Sequence, residues 1–177
     1  MSSESTPTNG LEGKEVLEDN ARKFVLARIG SEFLERNNVT SFGLTVDWLE
    51  TDEESERKVV YKKFDNGEVQ ILLITKITKE GSRTSDKKKI TEEEYRELVD
   101  SSVLHLKKKR YEFVFTQNDI PFSLKYDEFA DGKLFMLEVD AKTDEERKSF
   151  DFHDFPYALS EVTGDNRYYG YKVVEML

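Results

Sequence analysis

Seven strand-length runs rich in β-branched and aromatic residues, three of them joined to the next by a turn of only three residues, leave this chain little choice but an antiparallel sheet. The runs are Thr40 to Leu49, Arg57 to Phe64, Glu68 to Lys79, Arg83 to Ile90, Lys107 to Thr116, Phe122 to Phe129 and Lys133 to Ala141. Asp65-Asn66-Gly67, Glu80-Gly81-Ser82 and Asp131-Gly132 supply turn residues that tolerate positive φ. Thr91-Glu92-Glu93-Glu94 has the spacing of a capping box and predicts a helix to about Ser101, and a short acidic helix is expected at Thr143 to Ser149. Between Lys14 and about Asn37, Leu17, Ala21, Phe24, Ile29 and Phe33 recur at three- and four-residue spacing. That predicts an amphipathic helix ended near Gly30, with a short strand over Arg22 to Ala27 as the competing reading. Residues 1–13 are polar and read as a disordered tail, leaving 14–177 as one domain of α+β class whose sheet closes into a barrel or folds over on itself.

Composition narrows the function classes. Twelve Phe, eight Tyr and one Trp are enough to fill an interior, although charged residues make up 36% of the chain. No apolar run reaches the roughly 18 residues that span a bilayer, and the N-terminal residues are polar and acidic, so a soluble, cytoplasmic protein is expected. With no cysteine, thiolate nucleophiles, disulfides and Cys-ligated zinc are excluded; His105 and His153 alone cannot make a multi-histidine metal site. Any metal must be held by oxygen. His105, with no serine or second histidine pattern beside it, reads as a structural histidine, and His153, among acids, as a surface residue.

A net charge of −10 argues against a general nucleic-acid binder. The charge is uneven, however. From Arg57 to Arg110 there are 15 Lys and Arg against 9 Asp and Glu, net +6, while the rest of the chain carries 12 basic and 28 acidic residues, net −16. The basic block is either a solvated surface or a set of cations gathered around a polyanionic ligand.

Alternate strand residues share a face, so Lys58, Val60 and Lys62 point together, as do Glu138 and Asp140. Paired carboxylates can hold Mg2+ or Mn2+ that bridges to phosphate oxygens, with lysines and arginines of neighbouring strands neutralising the remaining charge. A sheet solvated on one side shows the same alternation.

The order of motifs resembles the CYTH family of triphosphate tunnel metalloenzymes, most strongly from Arg83 to Tyr168. Lys108-Lys109-Arg110-Tyr111 is similar to the family's K-x-R-Y strand, Tyr126-Asp127-Glu128-Phe129 to its D-x-F strand, and Leu137-Glu138-Val139-Asp140 to its E-x-E strand. The segment from Glu161 to Tyr168 resembles its E-V-T-G-D-x-R-Y segment. Leu73-Ile74-Thr75-Lys76 and Val59-Val60-Tyr61-Lys62 are looser matches to its L-T-x-K and L-R-x-R strands.

The resemblance implies an eight-stranded antiparallel barrel with flanking helices, its charged tunnel binding a linear triphosphate and one or two divalent ions. On it, Lys62, Lys76, Arg83 and Arg110 face the phosphates, with Lys172 added from the C-terminal segment. Glu138 and Asp140 are metal ligands, and Asp127 and Lys76 take part in catalysis. The expected reaction is divalent-metal-dependent hydrolysis of a triphosphate, inorganic tripolyphosphate being favoured; a non-catalytic polyphosphate-binding module and an adenylyl cyclase are the alternatives. Three departures stand out. The first-strand E-x-E-x-K motif falls by order at Asp19-Asn20-Ala21-Arg22-Lys23, where the second acid is Ala21. A literal match at Glu54-Ser55-Glu56-Arg57-Lys58 lies too near the Lys76 strand and is set aside as accidental. Val60 replaces an arginine of the family, and Lys87 and Lys89 stand where its fifth strand carries acids, which makes the tunnel more basic and poorer in metal ligands.

Overall fold

The computed structural model describes residues 14–18, 20–130, 132–168 and 170–177, the first five by their backbone alone. The tail expected at 1–13, and Asp131 in the last turn, lie outside the described residues. Ten strands are present: β1 (Lys14–Glu18), β2 (Arg22–Leu26), β3 (Thr40–Thr51), β4 (Ser55–Phe64), β5 (Val69–Lys79), β6 (Ser82–Lys89), β7 (Leu104–Gln117), β8 (Ile120–Phe129), β9 (Leu134–Asp140) and β10 (Ala158–Glu161). The helices are α1 (Ser31–Arg36), α2 (Glu92–Val99), α3 (Asp144–Lys148) and α4 (Gly170–Val173), with 3-10 turns at Phe152–Asp154, Asn166–Tyr168 and Val174–Met176. Among the described residues no helix is long and apolar enough to cross a membrane.

The chain packs as two compact units. The first is built from Thr45–Lys62 and Glu68–Leu106 with β1; the second from Asn20–Leu44, Lys63–Gly67 and Lys107–Leu177.

In the first unit the strand order is β1-β6-β5-β4-β3. β5 and β6 are antiparallel, with Lys76 opposite Ser85 and Thr78 opposite Arg83. Their connection turns through Glu80 and Gly81, both at positive φ, as a tight hairpin requires. One face of this sheet is apolar: Leu49, Val59 and Ile71 are buried beneath Ile90, Tyr95 and Leu98, so α2 is the cover. Thr91 caps α2 by accepting from the Glu94 amide while the Glu94 carboxylate accepts from the Thr91 amide, the expected capping box.

In the second unit the order is β7-β8-β9-β2-β10. Its apolar face buries Phe24, Phe113, Phe122, Leu124, Tyr126 and Leu137 against Phe33 of α1 and against Phe150 and Phe155 beyond α3. Rings meet mostly edge to face, as between Phe33 and Phe155 at 5.6 Å and 86°.

Two expectations are corrected. The helix expected between Lys14 and Asn37 is confined to α1, and Arg22–Leu26 is a strand. Phe24 and Leu26 are buried alternately in β2, which pairs with β9 on one side and β10 on the other. Tertiary pairing prevails over a helical spacing that alternation imitates across so short a segment. The expected closed, eight-stranded barrel is replaced by an open order of ten strands. Among the described residues β1 pairs only with β6 and β10 only with β2. β10 is four residues long with a register shift between Ala158 and Ser160, which leaves it a poor template for a further strand.

Candidate functional site

Each unit turns a charged sheet face away from its apolar one. In the first unit, alternation along β4 puts Glu56, Lys58 and Lys62 on the face opposite Val59 and Tyr61. The β5–β6 register adds Lys76, Thr78, Arg83, Ser85, Lys87 and Lys89 to that face. All of these cations except Lys89 are half-buried. Glu56, 3% exposed, is the face's buried anion. Its Oε2 accepts from Trp48 Nε1 at 2.5 Å and lies 3.4 Å from Lys58 Nζ, while its Oε1 accepts from the Arg83 guanidinium at 2.7 Å. Arg83 also donates to Thr78 Oγ1 at 3.1 Å. Burial works to raise the Glu56 pKa, but Lys58, Lys76, the Trp48 hydrogen bond and Arg83 outweigh it and bring it down to about 2. The carboxylate is ionised at neutral pH and sits between Lys58 and Arg83.

In the second unit the corresponding anion is Asp127, 4% exposed. Arg110 grips it bidentately, Nε to Oδ1 and a terminal nitrogen to Oδ2, both at 2.7 Å, and Lys108 Nζ donates to Oδ2 at 2.8 Å. Burial opposes ionisation of Asp127, yet Arg110 and Lys108 hold its carboxyl below the usual range. Burial lowers the Lys108 pKa, with Arg110 pushing the same way against Asp127. Arg110 is pushed upward because Asp127 overcomes the effect of burial. Register builds a row of alternating charge across four strands: Glu112 opposite Lys125, Lys125 opposite Glu138, Glu138 opposite Lys23. Asp140 lies two residues beyond Glu138 on the same face and accepts from Arg147 at 3.1 Å.

The expected site residues therefore divide. Lys62, Lys76 and Arg83 share the charged face of the first unit, whereas Arg110, Asp127, Glu138 and Asp140 share that of the second. Lys172 lies on α4 rather than on a strand, its ammonium 5.9 Å from the Tyr171 ring centroid. The segment resembling E-V-T-G-D-x-R-Y is a clamp. Glu161 holds Arg22 bidentately at 2.8 Å to each nitrogen, and Arg22 also reaches the carbonyls of Arg147 and Phe150 at 3.0 and 2.9 Å. Thr163 Oγ1 accepts from the Lys23 amide at 2.9 Å, and Asp165 pairs with Arg167 at 2.6 Å. His105 meets the buried Asp47 through Nδ1 at 2.7 Å, in keeping with a structural role, and His153 is exposed.

Sequence reasoning missed Glu56, Lys108 and Ser85. Glu56 and Lys58 had been set aside with the literal E-x-E-x-K match because of spacing, but their alternation with Lys62 was the signal that they share its face.

The acidic pair was tested as a metal site. Glu138 has Lys125 and Lys23 in register on either side, and Asp140 is engaged by Arg147. Among the described residues no group of three or more His, Asp or Glu side chains could hold an ion by itself. Two carboxylates alone would leave most positions of a Mg2+ shell to phosphate oxygens and water.

No protein-family model and no curated protein matches the chain. Solved structures do. The inorganic triphosphatase NE1496 superposes with a TM-score of 0.59 at 20% identity, covering 90% of this chain and 95% of that one. The PH1819 protein from Pyrococcus horikoshii OT3 superposes with a TM-score of 0.61 at 13% identity, covering 89% of this chain and 96% of that one. The likeness is one of fold.

Proposed function

We propose that the chain binds a linear polyphosphate and hydrolyses its terminal anhydride, inorganic tripolyphosphate being the preferred substrate. The observation that carries this reading is the face of β4, β5 and β6, where Lys58, Lys62, Lys76, Arg83, Lys87 and Lys89 outnumber the acids in register with them, Glu56 on β4 and Glu15 opposite Lys87 on β1. A merely solvated face leaves its charges exposed, as at Arg57 and Lys63, but five of these six cations are half-buried. Half-buried, mutually repelling cations favour a polyanion as their counter-charge. The net charge of −10 favours a small polyanion over nucleic acid or an anionic membrane, and a cytoplasmic location belongs to the same proposal. The inorganic triphosphatase of like fold supports the reaction class.

In the proposed reaction water attacks the terminal phosphorus and the bridging P–O bond breaks, giving orthophosphate and diphosphate. Phosphoryl transfer of this kind needs positioning and charge stabilisation more than covalent help. Lys62, Lys76 and Arg83 bind and orient the phosphates, and Lys76 offsets charge at the transferring group. Arg83 is held in position by Glu56 and Thr78. In the second unit Asp127 is the positioning residue for Arg110 and Lys108, with Lys172 a further cation for phosphate. Glu138 and Asp140 of that unit would hold Mg2+ or Mn2+, which would supply charge neutralisation and a more acidic water. A non-catalytic polyphosphate-binding module is the second reading, favoured by the engagement of Asp127 and Asp140 with the protein's own cations.

The test is phosphate release from tripolyphosphate, ATP and thiamine triphosphate with and without Mg2+ or Mn2+. Release from tripolyphosphate that is lost on chelation and in Glu138→Ala supports the hydrolase. A ligand-induced rise in melting temperature with no release under any metal supports the binding module.

A further inference from the structure

The cationic face of the first unit is longer than a tripolyphosphate. Along β6, alternation turns Arg83, Ser85, Lys87 and Lys89 onto that face and Asp86 and Lys88 onto the other. Lys89 lies six residues beyond Arg83, which at the rise of a strand is about 20 Å. The terminal phosphorus atoms of tripolyphosphate are only two anhydride bridges apart, well under half that length. Ser85 is buried, but Lys76 stands opposite it on β5, so every step of the row has a cation. The acids are placed unevenly along it. Glu56 accepts from the Arg83 guanidinium at 2.7 Å, and Glu15 of β1 is in register with Lys87. Lys89, at the end of the row, has Leu72 opposite it on β5 and is exposed, whereas Arg83 and Lys87 are half-buried. The row therefore runs from a sheltered end, where acids moderate its charge, to an open cationic end.

We propose that this row is a track for linear polyphosphate chains longer than tripolyphosphate, with the terminal unit at Arg83 and Lys76 and the following units running past Lys87 to Lys89. The track rests on the polyphosphate reading above and extends its ligand class to longer chains. It concerns affinity, and no bond is made or broken along it. Each added phosphate brings negative charge to a further cation, so affinity grows with chain length until the row is filled. Lys89 is the step that only a longer chain reaches. At moderate salt its charge is screened from a short ligand at the Arg83 end, because the two lie more than a Debye length of about 8 Å apart.

The experiment is calorimetric titration of the full chain at moderate salt with tripolyphosphate and, separately, with monodisperse octaphosphate, with and without Mg2+. Wild type is expected to bind octaphosphate about tenfold or more tightly than tripolyphosphate, beyond the statistical gain of a chain that offers more three-unit stretches. Lys89→Glu should weaken octaphosphate about tenfold, the effect of reversing one exposed charge, and tripolyphosphate by no more than about twofold. Lys88→Glu makes the same change of charge on the opposite face of β6 and should alter neither affinity by more than about twofold. Both lysines are exposed, so neither variant empties the core. Three results overturn the track: equal affinity of wild type for the two chains, equal losses in Lys88→Glu and Lys89→Glu, or a loss in Lys89→Glu that is the same for both ligands. Each of these leaves the polyphosphate reading intact. No binding of either chain by wild type, with or without Mg2+, overturns the two together.

Discussion

The two units solve the same problem, a charged face on a half-buried sheet, in opposite ways. In the second unit the charges on β7, β8, β9 and β2 balance: Lys108, Arg110, Lys125 and Lys23 stand with Glu112, Asp127, Glu138 and Asp140. Arg110 and Lys108 close on Asp127 at 2.7 and 2.8 Å, and the face is neutral within itself. In the first unit six cations on β4, β5 and β6 outnumber the acids in register with them, Glu56 and, on β1 opposite Lys87, Glu15. Balance gives rigidity and a fixed geometry; imbalance leaves a potential that a ligand can neutralise. On the proposed function, the second unit's charges serve first as structure and the first unit's as recognition.

The largest effect expected from breaking this contrast is on stability. Asp127→Asn leaves Lys108 and Arg110 buried without their counter-charge, so urea unfolding should show a loss of about 3–5 kcal/mol. A loss below about 1 kcal/mol would mean the second face is as unbalanced as the first. Glu56→Gln should be costly too, at about 3 kcal/mol near neutral pH, and its effect should depend on pH. The folded pKa is lowered to about 2 from 4.5, so the stabilisation is fully present above about 4.5 and fades as pH falls through about 2. Wild type and variant should therefore differ by a constant amount above pH 5 and converge toward pH 2. Lys76→Ala is expected to weaken tripolyphosphate binding in calorimetric titration about 10- to 100-fold, the range for one charge-assisted contact. The smallest effect is local: Thr91→Ala removes the cap of α2 and should cost about 1 kcal/mol, without touching affinity.

What the sequence disclosed follows from how far each signal reaches along the chain. The β5–β6 hairpin was legible because Glu80-Gly81 carries its own turn geometry, and α2 because Thr91 and Glu94 form a contact three residues apart. β2 was legible only as the competing reading over Arg22 to Ala27, since nothing inside Arg22–Leu26 reveals that β9 and β10 lie on either side. The family resemblance grouped Lys62, Lys76, Arg83 and Arg110, of which the first three share the first unit's charged face and Arg110 lies on the second's. The partner of each was not: which cation meets Glu56, or which meets Asp127, is decided by cross-strand register. The Glu161 to Tyr168 segment looked functional and proved to include the clamp on Arg22, a long-range contact between residues 139 apart. Ser85 gave no signal at all, because a serine in a strand is unremarkable until its neighbours bury it.

The central claim, that the cations of β4, β5 and β6 are the counter-charge of a phosphate chain, is tested most directly by titrating tripolyphosphate into the full chain at low and at moderate salt. Saturable binding that weakens as salt rises, and weakens again in Lys76→Ala, is the predicted result. Heat that never departs from dilution at either salt, with or without Mg2+, would contradict it.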